Sequence, residues 1–107
     1  MSATAEKLEA LRAMIEAQQI KRITDQGWSL DVHPHKVRIK MGRKYANVDV
    51  SGPHWSGAYM VELATGEIFG IKAYGVIHRG HRYGNLDTIS EWNWSDYRAI
   101  PKAARAA

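Results

Sequence analysis

The chain has 107 residues, of which 45% are hydrophobic and 24% charged, and a formal net charge of +4; these are ordinary values for one globular domain. Cysteine is absent, which excludes disulfides, thiol catalysis and metal sites with cysteine ligands. No apolar run approaches the roughly 20 residues that cross a bilayer, and the N-terminus has no signal-peptide pattern. We therefore expect a single domain over residues 1–107, cytoplasmic and with no membrane partner.

Residues 4–25 are predicted to form an amphipathic helix. Leu8, Leu11 and Ile15 recur at spacings close to 3.6 residues, and charged residues occupy the other faces. Gly27 stands where a left-handed cap ends a helix. A helix of this pattern is expected to pack on a sheet.

After Gly27 the hydrophobic period changes to two, which predicts a sheet over residues 28–74. The predicted strands are 28–33, 36–41, 45–50, 58–63 and 67–74. The fold class is therefore α+β, with the helix packed on a twisted antiparallel sheet of four to five strands. The predicted core residues are Leu8, Leu11, Ile15, Val37, Ile39, Val48, Val50, Val61, Leu63, Phe69 and Ile71.

The C-terminal third is predicted to contain little regular structure. Three glycines between residues 75 and 87 indicate an ordered loop. Thr88 is expected to cap a short helical turn. A Trp-rich segment then covers the core, since large aromatic side chains are rarely left in water. Residues 101–107 are predicted to form a frayed, weakly basic tail.

The excess positive charge lies in the middle of the chain. Residues 33–84 have a net charge of +5, whereas residues 1–32 have −1 and residues 85–107 have none. All five histidines lie in the same segment. A localised basic segment is typical of proteins that bind an anionic partner, such as DNA, RNA or an acidic or phosphate-bearing protein surface. A solvated face that only maintains solubility is the alternative.

The first candidate site is a basic patch on a predicted strand. Period-two geometry places three cations on one face, about 6–7 Å apart, near the ~7 Å phosphate repeat of an extended single strand. Two more cations and a tyrosine follow in the turn, and cations beside aromatic rings are usual in single-strand binding. The residues of this basic patch are Lys36, Arg38, Lys40, Arg43, Lys44 and Tyr45.

The second candidate site is the Gly-rich segment 74–84. Its glycines let backbone N–H groups approach an anion, its arginines suit bidentate phosphate contacts, and its rings suit stacking on a base. A structural loop is the alternative, because no phosphate-binding fingerprint is present. The candidate ligands are Tyr74, His78, Arg79, His81, Arg82 and Tyr83.

Two histidine pairs have spacings found in metal sites, His33 with His35 and His78 with His81, and Asp87 follows the second pair. Nothing in the sequence fixes the distance between the pairs. Structural histidines are therefore preferred, and no metal, cofactor or catalytic residue is predicted. No nucleophile elbow or paired-carboxylate motif occurs.

Residues 60–75, with their Thr-Gly-Glu turn, resemble a hairpin of small tailed-phage proteins. In those proteins a segment of the type hydrophobic-Val-Asp-x-x-Thr-Gly-Asp/Glu-Ile precedes a Gly-rich loop with His and Lys. The resemblance covers about residues 36–88, with Glu62 in place of the commoner Asp. It implies a phage setting, and thus the cytoplasm of an infected bacterial host, but no activity and no functional residues.

The preferred functional hypothesis is binding of nucleic acid or a phosphate-bearing partner without catalysis. The second is a protein-interaction module, such as an inhibitor of a host defence complex or a virion component. The third is a phosphate-processing enzyme that uses His and Arg. The oligomeric state is left open by the sequence.

Overall fold

A computed structural model describes residues 3–27, 29, 35–51, 55–95 and 98–102. Helix α1 spans Ala3–Asp25 and is followed by five strands of one sheet. These are β1 (Val37–Met41), β2 (Tyr45–Val50), β3 (Ser56–Glu62), β4 (Glu67–Ala73) and β5 (Val76–Asn85). A 3-10 turn at Ile89–Glu91 leads to β6 (Trp92–Asn93), which pairs with β7 (Ile100–Pro101). The predicted α+β class is confirmed.

The sheet is an antiparallel meander in which the strands lie in chain order. In the first hairpin Val37 lies opposite Val50, and Arg38 lies opposite Asp49. Because side chains alternate along a strand, this register separates the apolar residues from the basic ones, as predicted. The face that packs against α1 is called the inner face below, and the opposite face the outer face.

The main core lies between α1 and the inner face. Leu8, Leu11 and Ile15 are buried there with the predicted strand residues Val37, Val48 and Val61. Ile39, Val50 and Leu63 are partly buried against this core, and Ile71 is partly buried as well. Phe69 is buried but, by strand alternation, on the outer face.

Polar contacts fix α1 against β1. The Glu16 carboxylate accepts a hydrogen bond from the Val37 backbone N–H at 2.9 Å, and the Arg12 guanidinium donates to the Val37 carbonyl at 3.3 Å. Both backbone groups belong to the first residue of β1, which is an edge strand of the sheet formed by the described residues. The helix therefore occupies part of that open edge.

The Trp-rich segment closes the core, as predicted. The Trp94 ring is fully buried and meets the Tyr59 ring edge-on at 5.3 Å between centroids. Its indole N–H donates to the Ile89 carbonyl at 2.9 Å. Gln18 and Gln19 of α1 bond the Trp94 backbone N–H and carbonyl. The segment thus packs on the sheet and is tied to the helix.

The predicted loop at 75–87 is wrong, because most of it forms β5. Gly75 turns the chain with φ of 78°, and Gly84 has φ of 73° near the strand end. Between them the pairing moves from Phe69↔Arg82 to Gly70↔His78, so three extra residues bulge from β5. Strand β5 is at the edge of the described sheet, and an edge strand tolerates such a bulge because only one of its sides has to keep a regular pairing.

Smaller predictions also change. Thr88 precedes the 3-10 turn but its side chain does not cap it; its hydroxyl accepts a hydrogen bond from the Asn85 N–H at 3.0 Å. Pro101 pairs with Trp92 and is therefore not part of a frayed tail. The predicted strand at 28–33 and the tail at 103–107 fall wholly or almost wholly outside the described residues. No helix in the described part of the chain is long and apolar enough to cross a membrane.

Candidate nucleic-acid interface

The outer face carries most of the predicted ligands. Strand alternation in β1 and β2 places Arg38 and Lys40 beside Asp49 and Asn47, respectively, and Tyr45 lies at the start of β2. The bulged strand β5 adds its arginines from the other edge. A solvent-facing sheet surface therefore combines cations with aromatic rings.

A network around Arg38 forms one end of this face. The fully buried Asp49 carboxylate accepts hydrogen bonds from Arg38 Nε at 3.1 Å and from the Tyr74 hydroxyl at 3.0 Å. The guanidinium lies 4.1 Å from the centroid of the Trp55 ring. Trp55 and Tyr74 remain 40% and 50% exposed. Two aromatic rings thus reach solvent beside one fixed cation.

A second network surrounds Arg79. Its guanidinium donates to the Tyr45 hydroxyl at 2.6 Å and to the Glu62 carboxylate at 3.1 Å, and it lies over the Phe69 ring at 5.3 Å. Hydrogen bonds from Thr65 and then Arg79 lower the pKa of Glu62. The same contact with Glu62 raises the pKa of Arg79.

Arg82 is held in a similar way. It pairs with the Glu67 carboxylate and lies 6.0 Å from the Phe69 ring centroid. The two arginines thus cover Phe69, which explains why this ring is buried on a solvent-facing surface. In the free protein both arginines contact carboxylates, so neither guanidinium is free to bind a phosphate without breaking that contact.

The remaining cations of the basic patch are exposed. Lys36, Lys40, Arg43 and Lys44 form no ion pair within the described residues. Lys44 is close enough to Glu62 to lower its pKa further. These four side chains supply the uncompensated charge at the β1–β2 end of the outer face.

The other residues of the second candidate site lie on the inner side. The His78 and His81 rings stack at 4.0 Å between centroids, and Tyr83 is buried edge-on against Tyr59 at 5.2 Å. Tyr83 is therefore a core residue and not a base-stacking one, and burial raises its pKa. The structure thus divides segment 74–84 between two faces because successive residues of a strand point in opposite directions.

The histidines do not assemble a metal site in the described part of the chain, where no group of three or more potential ligands occurs. Asp87 forms an ion pair with Lys7 at 2.6 Å. His35 contacts Gln19 at 2.6 Å, and His33 lies outside the described residues.

Two kinds of residue were missed by the sequence predictions. Trp55 was assigned to a loop and given no role in binding. Exposed aromatic side chains can mark interaction sites, so a tryptophan in a Gly/Pro-rich segment was a usable signal. Glu62 and Glu67 were not recognised as arginine partners, because they are 17 and 15 residues from Arg79 and Arg82. Only the strand register brings these pairs together.

Comparison of the chain with protein-family models, curated proteins and solved structures gives no match.

Proposed function

We propose that the protein binds single-stranded nucleic acid on the outer face of its sheet and catalyses no reaction. The observation that carries this proposal is a pair of exposed rings beside one fixed cation: Trp55 lies against the Arg38 guanidinium, and Tyr74 bonds the carboxylate that also holds Arg38. Proteins that bind single strands combine such rings, on which bases stack, with cations that follow the phosphate backbone.

The distribution of paired and unpaired cations indicates how binding proceeds. Lys36 and Lys40 lie on the same strand face with no described carboxylate partner, so they contribute to affinity without breaking an existing contact. Arg79 and Arg82 can bind a phosphate only if they give up their ion pairs with Glu62 and Glu67, which reduces the net gain in binding free energy. We therefore assign most of the electrostatic affinity to the lysines and most of the short-range contact to the rings.

The test is a salt titration of binding to labelled single-stranded DNA and RNA by fluorescence anisotropy. The double variant Lys36→Gln/Lys40→Gln is expected to lower the slope of log K against log salt by about 1.4, since each phosphate contact to a single strand contributes ~0.7. The control Lys7→Gln/Lys21→Gln removes the same charge from α1. An equal effect of both variants on the slope contradicts a localised interface.

A protein partner is the second candidate, because Trp, Tyr and Arg are also the residues that dominate protein interfaces. Among the described residues, four large hydrophobic side chains are exposed, namely Met41, Trp55, Tyr74 and Val76. If the folded protein binds no oligonucleotide at low salt, a protein-interaction module, such as a host-defence inhibitor or virion component, replaces the first proposal.

A further inference from the structure

A cleft opens on the inner side of the sheet, opposite the proposed nucleic-acid interface. It has a volume of about 470 Å3 and lies between the C-terminal half of α1, strands β3 to β5 and Arg98. Sites for small molecules commonly occupy about 300–1,000 Å3. The proposed function leaves this cleft unexplained.

The cleft is strongly cationic. Arg22, Lys72, Arg98, His35 and His81 line it, and no Asp or Glu occurs among its described lining residues. Four of the seven described arginines form ion pairs with described carboxylates, but Arg22 and Arg98 do not. Two arginines without an ion-pair partner among the described carboxylates therefore line one concave site.

The pKa values of the two histidines in the cleft are lowered. Burial lowers the pKa of His81, and the neighbouring His78 and Arg98 lower it further. Burial also lowers the pKa of His35; Glu16 opposes this effect and Arg22 adds to it. A site that disfavours additional positive charge in this way favours an anion.

Two polar residues of the cleft wall are fixed by hydrogen bonds. The amide of Gln19 donates to the Trp94 carbonyl at 3.3 Å, so its oxygen accepts the Nε2–H of His35 at 2.6 Å. The His35 ring is therefore held in place at the wall of the cleft.

We propose that this cleft binds a phosphomonoester of about mononucleotide size, with its phosphate group held by Arg22 and Arg98. Two arginines suit the bidentate contacts that a phosphate accepts, and the volume exceeds what a bare ion requires. Val50 and Ala58 provide apolar wall for the remainder of the ligand. The proposal does not rest on the function assigned to the outer face.

The first experiment measures calorimetric binding of adenosine 5′-monophosphate, inorganic phosphate and adenosine. The two phosphates are expected to bind and adenosine is not. Arg98→Gln and Arg22→Gln should each weaken phosphate binding about tenfold or more, because charge-assisted contacts are lost. Arg43→Gln, which removes an exposed arginine from the β1–β2 turn, is the matched control. No saturable phosphate binding, or equal losses in all three variants, overturns the proposal.

The source of the phosphate is distinguished with oligonucleotides that carry or lack a 5′-phosphate. If the cleft takes a strand end, Arg98→Gln weakens binding of the phosphorylated strand alone; if it takes a free nucleotide, Arg98→Gln affects neither strand. Lys36→Gln/Lys40→Gln should leave nucleotide binding unchanged, so failure of the outer-face proposal and failure of this one give different results.

Discussion

Removal of the Trp55 ring is the sharpest perturbation of the proposed interface. Stacking of one base on an aromatic ring contributes about 1–3 kcal/mol, which corresponds to a loss of about 5- to 150-fold in affinity. Trp55 is 40% exposed, and its described ring contact is with Arg38 at 4.1 Å. Trp55→Ala is therefore expected to weaken oligonucleotide binding by about 5- to 150-fold.

The same variant should change stability only slightly. An exposed cation–π contact contributes about 0.5–1 kcal/mol, and Arg38 keeps its bond to Asp49. For a domain of this size that loss lowers the Tm by a few degrees, about 2–8 °C. Anisotropy titrations and thermal melts measure the two effects separately.

Met41→Ala is the matched control, because Met41 is 57% exposed on the same hairpin but lies opposite Ala46, on the other face. It should leave oligonucleotide affinity unchanged. If folded Trp55→Ala binds within about twofold of the parent, or if Met41→Ala loses as much affinity, stacking on Trp55 is refuted.

Three further predictions follow from individual contacts. Glu62→Gln releases Arg79 from its ion pair and should tighten oligonucleotide binding. The slope of log K against log salt should become steeper by about 0.7. An unchanged slope in anisotropy titrations means that Arg79 contacts no phosphate. Gly84→Ala places a methyl group 2.5 Å from the Thr88 hydroxyl at a φ of 73°. It should lower the free energy of unfolding, measured in denaturant melts, by at least about 1–2 kcal/mol. A free energy of unfolding equal to that of the parent contradicts this prediction. Burial raises the pKa of Tyr59, so the folded state keeps this phenol neutral while the phenol of the unfolded state ionises near pH 10. The contribution of Tyr59 to stability should therefore be constant below about pH 10 and fall above it. Tyr59→Phe should reduce that fall in thermal melts at about pH 9 to 11.

The helix and the first hairpin were predictable because their patterns are local. Leu8, Leu11 and Ile15 recur at the helical period and are buried, and the alternation in β1 fixes which residues share a face. The burial of Asp49 was not predictable. The partners around this carboxylate are distant in sequence: Tyr74, in the β4–β5 turn, bonds Asp49, and Trp55, in the β2–β3 connection, lies against Arg38.

Strand β5 was predicted as a loop because glycines usually interrupt strands. Here Gly75 and Gly84 stand near the ends of a strand, and the extra residues around Gly80 form a bulge. A sequence pattern does not show where a bulge changes the face on which the following side chains lie. Arg79 and His81 were therefore predicted to belong to the same site. The structure places them on opposite faces.

The most direct test of the outer-face interface is a 15N heteronuclear NMR titration with an unphosphorylated single-stranded oligonucleotide. We predict that the largest chemical-shift changes fall on the Trp55 indole and on the amides of Arg38, Lys40 and Tyr45, and that the Leu11 amide shift stays unchanged. Shift changes concentrated on α1, or absent at low salt with folded protein, would contradict it.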